Sequence, residues 1–253
     1  MIQSVRRRRF TVTTTGRRDE TKSARKLPWI LEFYRSDVAK KWVMAISGVI
    51  LLGYIAAHML GNMKVYLGPE SINDYGESLR ELGGHLVPRT HLLWIMRIGL
   101  TAAFVVHIHA AYSLTVTNLK ARGKVRYDVP REYLVANYAS RTMRYSGVIV
   151  LLFVIFHLAD LTWGNANPEF MRGDPYSNMI ASFERVPIAL VYIVANLALG
   201  LHIFHGVWSL FQSIGANNEV YNEWRRYLAW GFAAVIVLGN LSFPIAVQLG
   251  IIS

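Results

Sequence analysis

Long apolar runs alternate with charged stretches along this chain of 253 residues, and five of the runs are long enough to cross a bilayer. A hydrocarbon core of about 30 Å takes about 20 apolar residues to cross as helix. The runs lie over Lys41 to Gly61, His91 to Leu119, Arg144 to Trp163, Val186 to Phe211 and Tyr227 to Ile252. Well inside them, only Arg97 and Asp160 carry formal charge. The pattern predicts an all-α integral membrane bundle of five transmembrane helices over residues 40–253, preceded by a basic arm over residues 1–39. In the fifth helix, Asn240 and Pro244 predict a kink.

The arm contains Arg6, Arg7, Arg8 and Arg9 but no apolar run directly after them, so no cleaved signal is expected and its start reads as disordered. From Leu27 to Val38, Trp29, Leu31, Phe33 and Tyr34 mix with charges, a pattern that fits either an interfacial helix or a solvated tail. Composition adds a constraint: 53% of the residues are hydrophobic, yet the formal net charge is +11. The positive charge is concentrated. Twelve Lys and Arg precede or include Lys41, and seven fall between Leu119 and Arg144, among them Lys120, Arg122, Lys124 and Arg126; the first and third loops together hold five. By the positive-inside rule the N-terminus and second loop are cytoplasmic, and the first loop, third loop and C-terminus are external. The charge therefore reports topology and not nucleic-acid binding. With no cysteine in the chain, thiolate iron–sulfur ligation and covalent haem attachment are excluded, and any such centre belongs to a partner.

An ionisable group inside a bilayer is costly, so intramembrane histidines are functional candidates by default. Six of the eight lie inside the predicted helices: His58, His107, His109, His157, His202 and His205. His85 and His91 lie in or beside the first external loop. An internal repeat links two of the six. Ser47-Gly48-Val49-Ile50 precedes His58, and Ser146-Gly147-Val148-Ile149 precedes His157, each serine eleven residues before its histidine. Eleven residues make almost three whole turns, so each serine shares a face with its histidine about 16 Å away along the axis. Both helices run outward and present a histidine near the external surface and a small step near the cytoplasmic one, where a flat group can approach the backbone. His109 and His202 lie on the helices that run inward, each seven residues after an alanine, Ala102 or Ala195. Their rise places them near the cytoplasmic face, about 17 Å from the level of the other two. Pairing by depth gives His58 with His157 outside and His109 with His202 inside. His107 is disfavoured because Leu100, not a small residue, lies seven positions before it.

Two imidazoles on facing helices, with small residues at the other level and no carboxylate cluster, suit a planar macrocycle better than tetrahedral zinc. Two pairs imply two b-type haems, each with both axial positions filled and therefore fitted to electron transfer. Arg97, near the outer level, fits either a partner for a propionate or an arginine that snorkels to the interface.

These residues resemble the dihaem cytochrome b subunits of succinate dehydrogenases and fumarate reductases that use a single five-helix anchor. The resemblance spans about residues 40 to 250 and rests on Ala56-Ala57-His58, His109-Ala110-Ala111-Tyr112, Phe156-His157 and His202 followed by Gly206-Val207-Trp208-Ser209. It carries the four axial ligands to His58, His157, His109 and His202. His205 is the alternative to His202, because His205-Gly206-Val207-Trp208-Ser209 echoes His109-Ala110-Ala111-Tyr112-Ser113. It further implies a multi-pass subunit of a bacterial plasma membrane, in a complex serving the tricarboxylic acid cycle. There a flavoprotein and an iron–sulfur subunit on the cytoplasmic side deliver succinate's electrons to this anchor, and a membrane quinone, menaquinone by resemblance, takes them near the external side. No flavin or iron–sulfur cluster is expected in this chain, and fumarate reduction is the reverse direction. Candidate quinone-proton groups are Asp160, one turn beyond His157 and otherwise an interfacial helix-end carboxylate, and Glu77 and Glu81 of the first external loop. Two rival readings are the quinone-reactive cytochrome of a hydrogenase or formate dehydrogenase, and a transporter or proton channel with titrating histidines.

Overall fold

The computed structural model describes residues 28–122, 136–216, 218 and 222–253. The arginine run Arg6 to Arg9, and Lys124 and Arg126 of the second loop, lie outside the described residues. The described chain forms α1 (Trp29–Tyr34), α2 (Asp37–Asn62), α3 (Pro69–Ser78), α4 (His91–Arg122), α5 (Ala136–Leu161), α6 (Pro175–Glu184), α7 (Val186–Ser213) and α8 (Asn222–Gln248), with a 3-10 turn over Met63–Leu67. Among the described residues five helices, α2, α4, α5, α7 and α8, are long and apolar enough to cross a membrane, and the protein is a multi-pass helical membrane protein. Large apolar side chains such as Ile98, Leu152, Val194 and Leu238 face outward, as expected where lipid is the solvent.

The bundle has two halves. α2 packs along α4, while α7 packs along both α5 and α8; a lighter seam of α2 against α7 and α8 joins them. At the seam Met59 of α2 sits among Leu199, Ile203 and Ile236, and it lies so close to Gly239 that a Cβ there would collide with its sulfur. Small residues thus set the helix spacing. Between α7 and α8, Asn240 donates to Asn196 at 3.0 Å, which satisfies two polar side chains inside the bundle. α8 continues through Pro244 to Gln248.

α1 marks one end of the bundle, and α3 and α6 form a cap at the other. Pro69 and Pro175 sit in the first turns of α3 and α6, where a missing N–H costs nothing. The cap is tied by Asp174, which accepts from the Ser177 backbone N–H at 3.0 Å, the Ser177 hydroxyl at 2.6 Å and Asn73 Nδ2 at 3.0 Å. Burial works against its ionisation, but the bonds from Ser177 and Asn73 win and hold the carboxyl below its ordinary range. A depressed carboxyl pKa contributes stability that is present above the unfolded value and lost as pH falls through the folded one. Asp174→Ala is therefore expected to cost about 1 kcal/mol, the usual worth of an N-cap. In detergent, the melting difference between variant and parent should be full at neutral pH and shrink below pH of about 4.

Candidate functional site

The histidines meet in two cross-bundle pairs. At the capped end His58 of α2 faces His157 of α5, with ring centroids 5.9 Å apart and planes at 84°. Toward the α1 end His107 of α4 faces His202 of α7 at 6.5 Å and 63°. Neither α2 with α5 nor α4 with α7 is among the helix pairs that pack closely among the described residues, so each ring pair reaches across a gap. The pairs sit at different levels. Ser47 contacts His107 and lies eleven residues, a rise of about 16 Å, before His58 on the same helix.

The hydrogen bonds around these rings leave the same nitrogen free on three of them. Ser47 Oγ lies 2.6 Å from the Val43 carbonyl, to which it donates; it is then the acceptor for His107 Nδ1 at 3.1 Å. Ser146 repeats the arrangement, donating to the Met143 carbonyl at 3.0 Å and accepting from His202 Nδ1 at 3.4 Å. Tyr192 donates its hydroxyl proton to Asp160 Oδ2 at 2.9 Å and accepts from His157 Nδ1 at 3.3 Å. A ring that donates through Nδ1 keeps its lone pair on Nε2, the form in which imidazole binds a metal. His58 reaches the same tautomer differently: Asn62 Nδ2 donates to its Nε2 at 3.3 Å, which marks that nitrogen as the lone-pair site. Tyr54 stacks on the His58 ring at 5.4 Å.

The serine–glycine repeat acts through the neighbouring helix. Ser47 and Ser146 are buried, and Gly48 and Gly147 lie against the rings of His107 and His202. Thus the first two spanning helices and the third and fourth repeat one contact. His107, passed over in the sequence for want of a small residue on its own helix, is positioned by Ser47 and Gly48 of α2. His109 is two residues away, about 200° around the helix, and cannot share that face. It is exposed and hydrogen-bonds Tyr34 of α1 at 2.8 Å. His205 makes no ring contact with another histidine among the described residues. Ala195 is buried whereas Ala102 faces outward and its neighbour Ala103 is the buried one.

The remaining candidates are distributed as follows. Asp160 is 0% exposed, with Oδ1 2.8 Å from Arg185 Nη2. Arg185 also donates to the carbonyls of Ala166 and Ala181. Glu77 is clasped by Arg80 and Arg89, and the bond from Arg89 leads in holding its carboxyl below the ordinary range. Glu81 is exposed. Arg97 lies over the Trp94 ring at 5.1 Å and interacts electrostatically with Tyr54, which places it at the level of the His58 pair. One charge escaped notice in the sequence: Arg225, 2% exposed, stands over the Trp208 ring at 5.2 Å. Its position just before the fifth apolar run concealed it.

Among the described residues there is no group of three or more His, Asp or Glu side chains able to hold a bare metal ion. Two facing imidazoles suit a flat macrocycle with one axial nitrogen on each side. Metal–nitrogen bonds of about 2 Å and about 1 Å from each nitrogen to its ring centre come to about 6 Å between centroids, close to both observed separations. The donor set therefore fits a bis-histidine haem.

Residues 132–241 match the family model described as the succinate dehydrogenase/fumarate reductase transmembrane subunit. The matched segment, less than half of the chain, contains His157, His202, Asp160 and Tyr192. No curated protein and no solved structure matches the chain.

Proposed function

We propose that this chain, a transmembrane subunit of the succinate dehydrogenase/fumarate reductase type by its match over residues 132–241, holds two b-type haems and carries electrons from an iron–sulfur subunit to a membrane quinone. The ligands are His58 with His157 at the capped end and His107 with His202 toward the α1 end. One observation carries the reading: both histidine pairs bridge helices that are not among the closely packed pairs of the described residues, with ring centroids 5.9 and 6.5 Å apart. A haem held between these imidazoles would supply single-electron transfer.

The chain's own residues supply binding and orientation. Ser47 and Ser146 fix the rings of His107 and His202, and Tyr192 fixes that of His157. A metal-ligating imidazole held through its second nitrogen keeps its tautomer and gains basicity. Arg97, at the level of the His58 pair, is placed to neutralise a propionate. The basic arm and second loop put the α1 end on the cytoplasmic side, where the iron–sulfur and flavoprotein subunits dock. The quinone, menaquinone by resemblance, is then handled at the capped end. Glu77, clasped by two arginines, is a poor proton donor near neutrality. Asp160 is held away from solvent by Arg185 and Tyr192.

The test is purification of the intact complex from membranes. It is expected to carry a flavoprotein and an iron–sulfur subunit, and to yield two b-type haems per copy of this chain by pyridine haemochrome assay. A nickel or molybdenum partner would favour a hydrogenase or formate dehydrogenase cytochrome. A colourless complex would return the histidines to a proton-conducting role.

A further inference from the structure

Asp160 and Tyr192 were not needed to bring His58 and His157 together, yet they form a continuous chain with one of those rings. Arg185 Nη2 donates to Asp160 Oδ1 at 2.8 Å, Tyr192 donates to Asp160 Oδ2 at 2.9 Å, and the Tyr192 oxygen lies 3.3 Å from His157 Nδ1. Both oxygens of a carboxylate with no solvent exposure are thus engaged by protein. Tyr192 is itself packed by the rings of Phe153, Phe156 and Phe183, at 5.1, 6.0 and 4.8 Å. Its hydroxyl has little freedom to turn away.

We infer that the Arg185–Asp160–Tyr192 chain is a positioning relay for His157, setting the electron affinity of the metal group at the capped end and leaving the other group untouched. This rests on the haem ligation proposed above. The carboxylate takes the tyrosine's only proton, so the tyrosine can meet His157 only as an acceptor. His157 must then donate through Nδ1 and bind through Nε2. A hydrogen bond from Nδ1–H toward an oxygen held by a carboxylate makes the imidazole a stronger donor, which favours the oxidised metal and lowers its reduction potential. Besides His157, the partner ring His58 meets Asn62 and Tyr54 among the contacts described, so the pair is asymmetric. At the other level serines replace the tyrosine, and among the described residues their hydroxyls donate to the backbone carbonyls of Val43 and Met143. The two groups would therefore differ in potential by construction.

Tyr192→Phe keeps the ring among the three phenylalanines and removes only the hydroxyl. In the intact complex, an optical redox titration with low-temperature EPR of the ferric signals should show the capped-end haem titrating at a higher potential with an altered signal. The capped-end signal is identified as the one that disappears in His58→Ala. Asp160→Asn should move the same signal in the same direction, and Ser47→Ala should move only the other one. Selective loss of the capped-end haem in Tyr192→Phe would also support the relay. The relay is overturned if Tyr192→Phe retains both haems with unchanged potentials and EPR signals, or loses or shifts both together. A parent complex without haem would instead sink the ligation reading, so the two failures are distinguishable.

Discussion

A complex carrying His58→Ala is expected to contain one b-type haem per anchor where the parent contains two, with the spectrum of the remaining haem unchanged. The two ring pairs share no side chain, and along α2 their levels are separated by about 16 Å. Changes at sites that far apart, with no common partner, combine almost independently. Removing one of the two imidazoles would leave the group a single histidine in a gap that Asn62, Tyr54 and Phe153 also line, none of them a good ligand. His157→Ala should give the same product by removing the opposite ligand. Haemochrome content measured against subunit stoichiometry reads the result directly. Electron delivery to quinone should fall with either change, by at least the tenfold to hundredfold typical of losing even an outer contact to a metal ligand. If both haems survive both substitutions, the assignment of this pair is wrong.

The spans were legible because lipid imposes a length and an apolarity that few other segments satisfy, and α2, α4, α5, α7 and α8 fall on the five runs read from the sequence. The cap was missed, although Gly68-Pro69 and Asp174-Pro175 carry helix-start chemistry. Ten-residue helices beside charged loops carry too little apolar length to stand out from turns. The serine–glycine repeat was visible, and so was its shared face with the following histidine. Its contact was not. Ser47 and Ser146 bond to histidines 60 and 56 residues later on the adjacent helix, and which helix lies adjacent cannot be read from one helix's periodicity. Asp160 read as a helix-end carboxylate because its partners, Arg185 and Tyr192, are 25 and 32 residues away. The clue was Tyr192 itself, a hydroxyl within an apolar helix that must find a partner.

On α4 the sequence resemblance favours His109 and the geometry favours His107. Helical phase makes this a choice between alternatives, since residues two apart point about 200° away from one another and only one can face His202. His107 is held by Ser47 and faces His202 at 6.5 Å. His109 is exposed and bonded to Tyr34 of α1. His107→Ala is accordingly expected to abolish the haem toward the α1 end, halving haem content while sparing the His58–His157 site. His109→Ala should retain both haems and lose only the tie between α4 and α1, a change of about 1 kcal/mol, the ordinary net worth of one hydrogen bond. The inverse result would mean that α4 turns by half a revolution when the group binds. On the proposed function the two variants should also differ in electron supply, because the haem toward the α1 end would be the entry point for electrons from the iron–sulfur subunit. His107→Ala would then block quinone reduction even with the capped-end haem intact, whereas His58→Ala would leave the entry group reducible by succinate. That contrast separates a serial chain of two haems from two independent sites.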